Sequence, residues 1–181
     1  MADIITSALV SLDSPIGASK EEVIRSLAER VVAQGRATDA TALATNALER
    51  EAQAATGMPG GIAIPHCRSK AVTAATLAMA RLNPTVDFGA PDGGADLVFF
   101  IAVPDGADQA HLVLLSKLAR SLIKDEFVAA LRAAKTPDDI VALVNEAVAD
   151  EPAAAPAPAA APTGKPVIVA VTACPTGIAH T

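Results

Sequence analysis

Leu97-Val98-Phe99-Phe100-Ile101-Ala102-Val103 is apolar without a break, and Pro104-Asp105-Gly106 closes it. A strand with one wet face alternates apolar and polar side chains, so an unbroken run predicts a strand covered on both faces. Such a strand belongs in the middle of a sheet with helices packed on each side. The rest of the chain supplies material for that arrangement. Of its 181 residues 51% are hydrophobic but only 2% aromatic, with no Trp or Tyr, so the core must be built from Ala, Val, Leu and Ile. The length suffices for one well-buried domain with residues left over. The expected class is α/β: a mixed β-sheet flanked by helices, forming a single domain over residues 1–150, with a disordered C-terminal tail.

Working outward, Ser19-Lys20-Glu21-Glu22 has the form of a capping box. Val23, Ile24, Leu27, Val31 and Val32 follow at helical spacing, and Gly35 is a natural stop. A second helix is predicted over 39–55, with Leu43, Ala47 and Leu48 on its inner face and Arg50 near its C-terminal end. After the central run, Asp105 or Asp108 would cap a helix whose Leu112, Leu115, Leu118 and Leu122 form a stripe, with His111 in its first turn. Phe127, Val128 and Leu131 suggest a short helix. Thr136-Pro137-Asp138-Asp139 then begins a last one, with Ile140, Leu143, Val144, Ala147 and Val148 on its buried face. Short strands are expected within 4–12 and over 71–82. Asn83-Pro84 should end the second of these, and 88–94 reads as a loop rich in turn residues.

Net charge is −6 with the signs interspersed, so there is no basic stripe to neutralise phosphates and a nucleic-acid role is not expected. No apolar run approaches the roughly 18 residues needed to cross a bilayer. The first residues lack a basic leader and an apolar stretch. Cys67 and Cys174 read as free thiols in a reducing compartment. A soluble, cytoplasmic protein is the expectation. Residues 151–166 are rich in Ala and Pro with almost no charge, a semi-rigid tether that cannot form a core. Beyond it, Val167-Ile168-Val169-Ala170-Val171 is a β-branched strand leading into Thr172-Ala173-Cys174-Pro175-Thr176-Gly177. That pattern is the start of an open α/β domain, residues 167–181, too short to fold alone.

The chemistry concentrates around Gly57-Met58-Pro59-Gly60-Gly61-Ile62-Ala63-Ile64-Pro65-His66. A glycine-rich turn runs into a short apolar segment that should stop at Pro65, because proline removes a ladder donor. His66 is then expected at a strand end, half supported and half open to solvent, where a neutral imidazole offers a nucleophilic nitrogen. Each candidate also has a plain structural reading: His66 a surface histidine, Arg50 a solvated helix residue favoured by the dipole, His111 a packed residue of a helix start. Together they suit one chemistry. An imidazole nitrogen would accept a phosphoryl group while Arg50, Thr56 and loop amides hold its oxygens, without a metal.

Arg50-Glu51, Thr56-Gly57 and Gly61-Ile62-Ala63-Ile64-Pro65-His66 resemble the phosphorylation-site motif of the fructose/mannitol family of enzyme IIA domains. These domains belong to the bacterial phosphoenolpyruvate-dependent sugar phosphotransferase system. The resemblance extends through Phe88-Gly89-Ala90-Pro91-Asp92-Gly93 and His111-Leu112, covering about residues 1–150. The loop around Cys174 resembles the phosphocysteine loop of fructose-type enzyme IIB domains. The resemblance implies that His66 is phosphorylated by the histidine-containing phosphocarrier protein. His111 would donate a hydrogen bond to the phosphoryl group, and Arg50 and Thr56 would fix its oxygens. Cys174 would be the next acceptor, and a membrane enzyme IIC would pass the sugar. No cofactor and no metal are implied. Cys67, directly after His66, departs from a usual small residue but is small enough to pack.

Three other readings compete. A metal site from His66, Cys67 and His111 is disfavoured because adjacent side chains diverge from an extended backbone and no CxxC or HExxH spacing is present. A cysteine-phosphatase loop at Cys174 would want an arginine closing it, and this loop has none. A purely regulatory domain, binding partners by phosphorylation state, would have no use for a second acceptor.

Overall fold

The apolar run lies in strand β6 (Gly93–Pro104), which pairs on one edge with β5 (Thr76–Ala90) and on the other with β3 (Ile62–Ala63) and β4 (His66–Ser69). A computed structural model describes residues 4–106 and 109–149, the side chains of 109–115 and 149 excepted. The expected tether and the strand leading to Cys174 lie outside the described residues. Strand order is β1-β5-β6-β3-β2, with β1 spanning Val10–Leu12 and β2 spanning Gly57–Met58. The β1–β5, β3–β6 and β4–β6 pairs are parallel, and the β5–β6 and β2–β3 pairs antiparallel, so the sheet is mixed as expected.

Over 97–103 both faces of β6 are buried. Val98, Phe100 and Ala102 enter a core closed by helices α1 (Lys20–Ala33) and α2 (Ala40–Gln53), through Val23, Ile24, Leu27, Leu43 and Ala47. Leu97, Phe99, Ile101 and Val103 enter a second core closed by α3 (Gln109–Leu122), α4 (Asp125–Ala133) and α5 (Pro137–Ala149), through Leu118, Leu122, Leu131, Ile140 and Val144. Each fully buried Leu, Ile or Phe contributes about 1.5–3 kcal/mol of transfer free energy. The unbroken run is therefore what lets one strand hold two helical layers.

The caps form largely as the sequence predicts. Ser19 Oγ accepts from the Glu22 N–H at 3.3 Å, while the Glu22 carboxylate reaches back to the Ala18 N–H at 2.7 Å. Gly35 takes φ +67° just beyond the end of α1. Asp39 caps α2 through the Ala42 N–H at 3.0 Å. Thr136 Oγ1 accepts from the Asp139 N–H, and the Asp139 carboxylate accepts from the Thr136 N–H, opening α5. The first-strand expectation is met by three residues of β1, preceded by a 3-10 turn at Ser7–Leu9.

Two strand ends differ from expectation, both at prolines. The strand expected to end at Asn83-Pro84 continues as β5 to Ala90, and the segment read as a loop forms a tight hairpin with Ala90 opposite Gly93. The register shifts between Arg81 and Val86, so Pro84 falls in an irregularity where its missing N–H leaves no ladder bond unmade. Likewise, Pro65 does not send the chain out of the sheet. Ile62 pairs with Leu97 and His66 with Ile101, an unchanged register across the proline, and Pro65 still accepts from the Ile101 N–H at 3.0 Å. His66 therefore opens β4, which continues the register of β3 beyond the proline.

Candidate functional site

Helix α2 packs beside β4, tied at its middle by Asn46 Nδ2 donating to the Arg68 carbonyl at 3.2 Å. Its last turn carries Arg50 and Glu51, which point to different ends. The half-buried Arg50 bonds the Ala54 carbonyl at 3.4 Å, beyond the end of its own helix. Glu51 is 4% exposed, and both its carboxylate oxygens lie 3.2 Å from the Thr56 N–H. Thr56 is buried as well, and its hydroxyl makes no hydrogen bond among the described residues. The Thr56 carbonyl accepts from the Ile64 N–H at 3.2 Å. The Ile64 carbonyl in turn lies 3.0 Å from Nδ1 of the half-buried His66. A carbonyl only accepts, so in the neutral ring this contact favours the proton on Nδ1 and the lone pair on Nε2.

Alternation along β4 separates His66 from its neighbour. Cys67 enters the α1–α2 core at 3% exposure, so His66 projects toward the face covered by α3, α4 and α5. Burial pushes the Cys67 thiol up to about 12, which keeps it protonated and unreactive at neutral pH. The packed role expected of Cys67 is what the structure shows. His111 falls in the first turn of α3, as the leucine spacing predicts, but its side chain and the candidate cap Asp108 lie outside the described residues, while Asp105 is exposed in the turn after β6. Cys174 does too.

The turn that delivers the chain to β3 is held from several directions. Gly60 and Gly61 have φ +89° and +74°, values that L side chains rarely adopt. Asp92, at the tip of the β5–β6 hairpin, accepts from the Gly60 N–H at 2.7 Å. Arg132 of α4 donates to the Gly60 carbonyl at 2.5 Å and grips Asp96 through two bonds of 2.7 and 2.6 Å. The Gly61 carbonyl accepts from the N–H groups of Asp96 and Leu97. An open apolar groove of about 790 Å³ borders this turn, lined by Met58, Ile62, Val128 and the 73% exposed Ile123.

Of the residues singled out from sequence, Thr56 and His66 are joined by the backbone path through Ile64, and Arg50, in the last turn of α2, bonds the Ala54 carbonyl and not either of them. Glu51 was not singled out, although its spacing from Leu43, Ala44 and Ala47 places it on the inner face of α2, where an acid is costly. Asp92, Asp96 and Arg132 were also passed over. They converge on the glycine turn from distant parts of the chain, and no local pattern reveals those bonds.

Residues 3–147 match the family described as phosphoenolpyruvate-dependent sugar phosphotransferase system, EIIA 2. The chain is 38% identical to a fructose-specific EIIA component of Haloferax volcanii, over 77% of this chain and 91% of that protein. It is 40% identical to a fructose-specific EIIABC component of Bacillus subtilis, over 90% of this chain but only 26% of that relative, so it spans about a quarter of the relative's length. The crystal structure of the nitrogen regulatory protein IIA-Ntr from Neisseria meningitidis superposes with a TM-score of 0.72 at 28% identity, over 78% of this chain and 96% of that one.

Proposed function

Because the chain belongs to the EIIA 2 family of the phosphoenolpyruvate-dependent sugar phosphotransferase system, a phosphotransferase component, we propose that His66 is its phosphoryl acceptor. The observation that carries this reading is the His66 Nδ1–Ile64 carbonyl bond, which leaves Nε2 as a nucleophile on a half-buried, fixed ring. The Nε2 lone pair attacks the phosphorus of a phosphohistidine on the histidine-containing phosphocarrier protein. As that P–N bond breaks, its electron pair returns to the donor imidazole and a new P–N bond forms at Nε2. The proton stays on Nδ1 throughout, donated to the Ile64 carbonyl. In the next step a cysteine thiolate of enzyme IIB attacks the same phosphorus and His66 recovers its lone pair.

Positioning and charge stabilisation are most of what phosphoryl transfer needs. The buried Thr56 hydroxyl, free of partners among the described residues, suits a phosphoryl oxygen. Arg50 reaches one once it leaves the Ala54 carbonyl, and His111 hydrogen-bonds another. The apolar groove beside the glycine turn gives a partner protein surface to dock on. Cys174, on its tether, is the following acceptor, and a membrane enzyme IIC receives the sugar. Likeness to an EIIABC relative over 90% of the chain, beyond the span of the family match, supports that order. Two fructose-specific relatives support fructose as the sugar. No described helix is long and apolar enough to cross a membrane, and the domain works at the cytoplasmic side.

A regulatory reading is favoured by one observation, the likeness to a nitrogen regulatory protein. Reconstitution separates the two. The protein is labelled from phosphoenolpyruvate, enzyme I and the phosphocarrier, then mixed with an intact enzyme IIB. The transport reading expects label to leave this chain for a cysteine, and more slowly for His111→Ala. Label that stays in place while the domain binds another protein favours the regulatory role.

A further inference from the structure

We propose that Glu51 is a positioning residue that fixes the tautomer of His66 through a run of three hydrogen bonds. The proposal rests on the reading of His66 as acceptor. Glu51 is the most buried charged side chain of the described residues, at 4% exposure. A carboxyl group is withdrawn from water at a cost unless it is given a donor. Here the donor is the Thr56 N–H, 3.2 Å from both oxygens. That bond anchors Thr56, three residues beyond the end of α2 and just before β2. The Thr56 carbonyl then receives the Ile64 N–H, and the Ile64 carbonyl receives Nδ1 of His66.

Each bond anchors a residue on one side, and the peptide group on that residue's other side makes the next bond. Thr56 and Ile64 sit on opposite arms of the glycine turn. Asp92 and Arg132 hold the tip of that turn, and Glu51 holds its base. Remove the acceptor at 51 and the Thr56 amide is left buried and unpaired, so Thr56 turns toward any other acceptor, its carbonyl loses the Ile64 N–H, and the Ile64 carbonyl is displaced in turn. The imidazole then no longer has a carbonyl placed to prefer a proton on Nδ1, and Nε2 is protonated in part of the molecules. A protonated Nε2 has no lone pair to attack phosphorus. Glu51 acts through hydrogen-bond acceptance, and a neutral acceptor of the same length serves.

The test uses the full chain and variants Glu51→Gln and Glu51→Leu. Long-range 1H–15N spectra of the unphosphorylated protein report which imidazole nitrogen of His66 carries the proton. Labelling by phosphorylated phosphocarrier reports rate. Wild type and Glu51→Gln are expected to hold the proton on Nδ1 and to label within about threefold of each other. Glu51→Leu is expected to show both tautomers and to label about tenfold more slowly, the effect of one lost hydrogen bond. A folded Glu51→Leu with the wild-type tautomer and rate overturns the proposal, as does a Glu51→Gln that behaves like Glu51→Leu. Should Glu51→Leu not fold, hydrogen exchange in wild type decides: a protected Thr56 amide supports the anchor, and an unprotected one overturns it. No label on wild-type His66 overturns the acceptor reading and with it the role in transfer. A labelled wild type with an unchanged Glu51→Leu overturns the Glu51 role alone.

Discussion

Nδ1 of His66 lies 3.0 Å from the carbonyl oxygen of Ile64, two residues earlier in the chain. In the neutral ring the contact favours one tautomer as well as one orientation, with the free lone pair on Nε2. The phosphorylated protein is therefore expected to carry its phosphoryl group on Nε2. 15N chemical shifts and couplings to phosphorus in labelled protein distinguish the two isomers, and an Nδ1-phosphohistidine would sink the proposed geometry.

Gly61→Ala should be strongly destabilising. At φ +74° a side chain is strained, and the new Cβ would lie 2.6 Å from an Asp96 carboxylate oxygen and 2.9 Å from Arg132 Nη2. The substitution therefore attacks both the backbone conformation and the clamp that holds it. A loss of about 2–3 kcal/mol is expected in urea unfolding. A loss under about 0.5 kcal/mol would mean that the turn is not held as described.

Acid should weaken the contact between Asp13 and Arg81. Arg81 bonds both oxygens of Asp13 and also donates to the Leu131, Arg132 and Ala134 carbonyls, tying β5 to the end of α4. The hydrogen bonds from Arg81 hold the Asp13 carboxyl below its usual range. A carboxyl lowered in the folded state contributes its stability above the unfolded value of about 3.9 and loses it as pH falls through the folded value. Asp13 is 55% exposed, so Asp13→Asn should cost only about 0.5–1 kcal/mol at pH 7, and the gap from wild type should close below about pH 4. A gap that is constant or grows in acid is the contrary result.

Cys67 should resist thiol reagents in the folded protein. Its burial at 3% exposure and its raised pKa both work against attack. With Cys174 replaced by Ser, a disulfide reagent should react only as fast as the protein unfolds. Reaction at the rate of an open thiol would place Cys67 at the surface and reopen a chemical role for it beside His66.

The central strand was legible because its signal is local: seven apolar residues in a row state that both faces are covered, and both are. The helices were legible from their stripes and caps, Ser19, Asp39 and Thr136 among them. Proline misled the strand limits twice, for one reason. A missing N–H ends a strand only where a ladder bond is required, and the chain places Pro84 in a register shift and keeps Pro65 within an unbroken register. Around the site, His66, Thr56 and Arg50 were visible through a local motif. Glu51 and Asp92 lie within the quoted motifs but their bonds were not readable there, and the Asp96–Arg132 pair has no local mark: Asp92 and Arg132 reach Gly60 from 32 and 72 residues away. Such supports carry no spacing that a single sequence reveals.

The chain has three histidines, His66, His111 and His180, and that makes the central claim directly measurable. Protein phosphorylated from phosphoenolpyruvate through enzyme I and the phosphocarrier is digested at alkaline pH, and its peptides are mapped by mass spectrometry. The account predicts a single acid-labile phosphoryl group on the peptide holding His66, absent from His66→Ala. A phosphoryl group on the His111 or His180 peptide in wild type, or full labelling of His66→Ala, would contradict it.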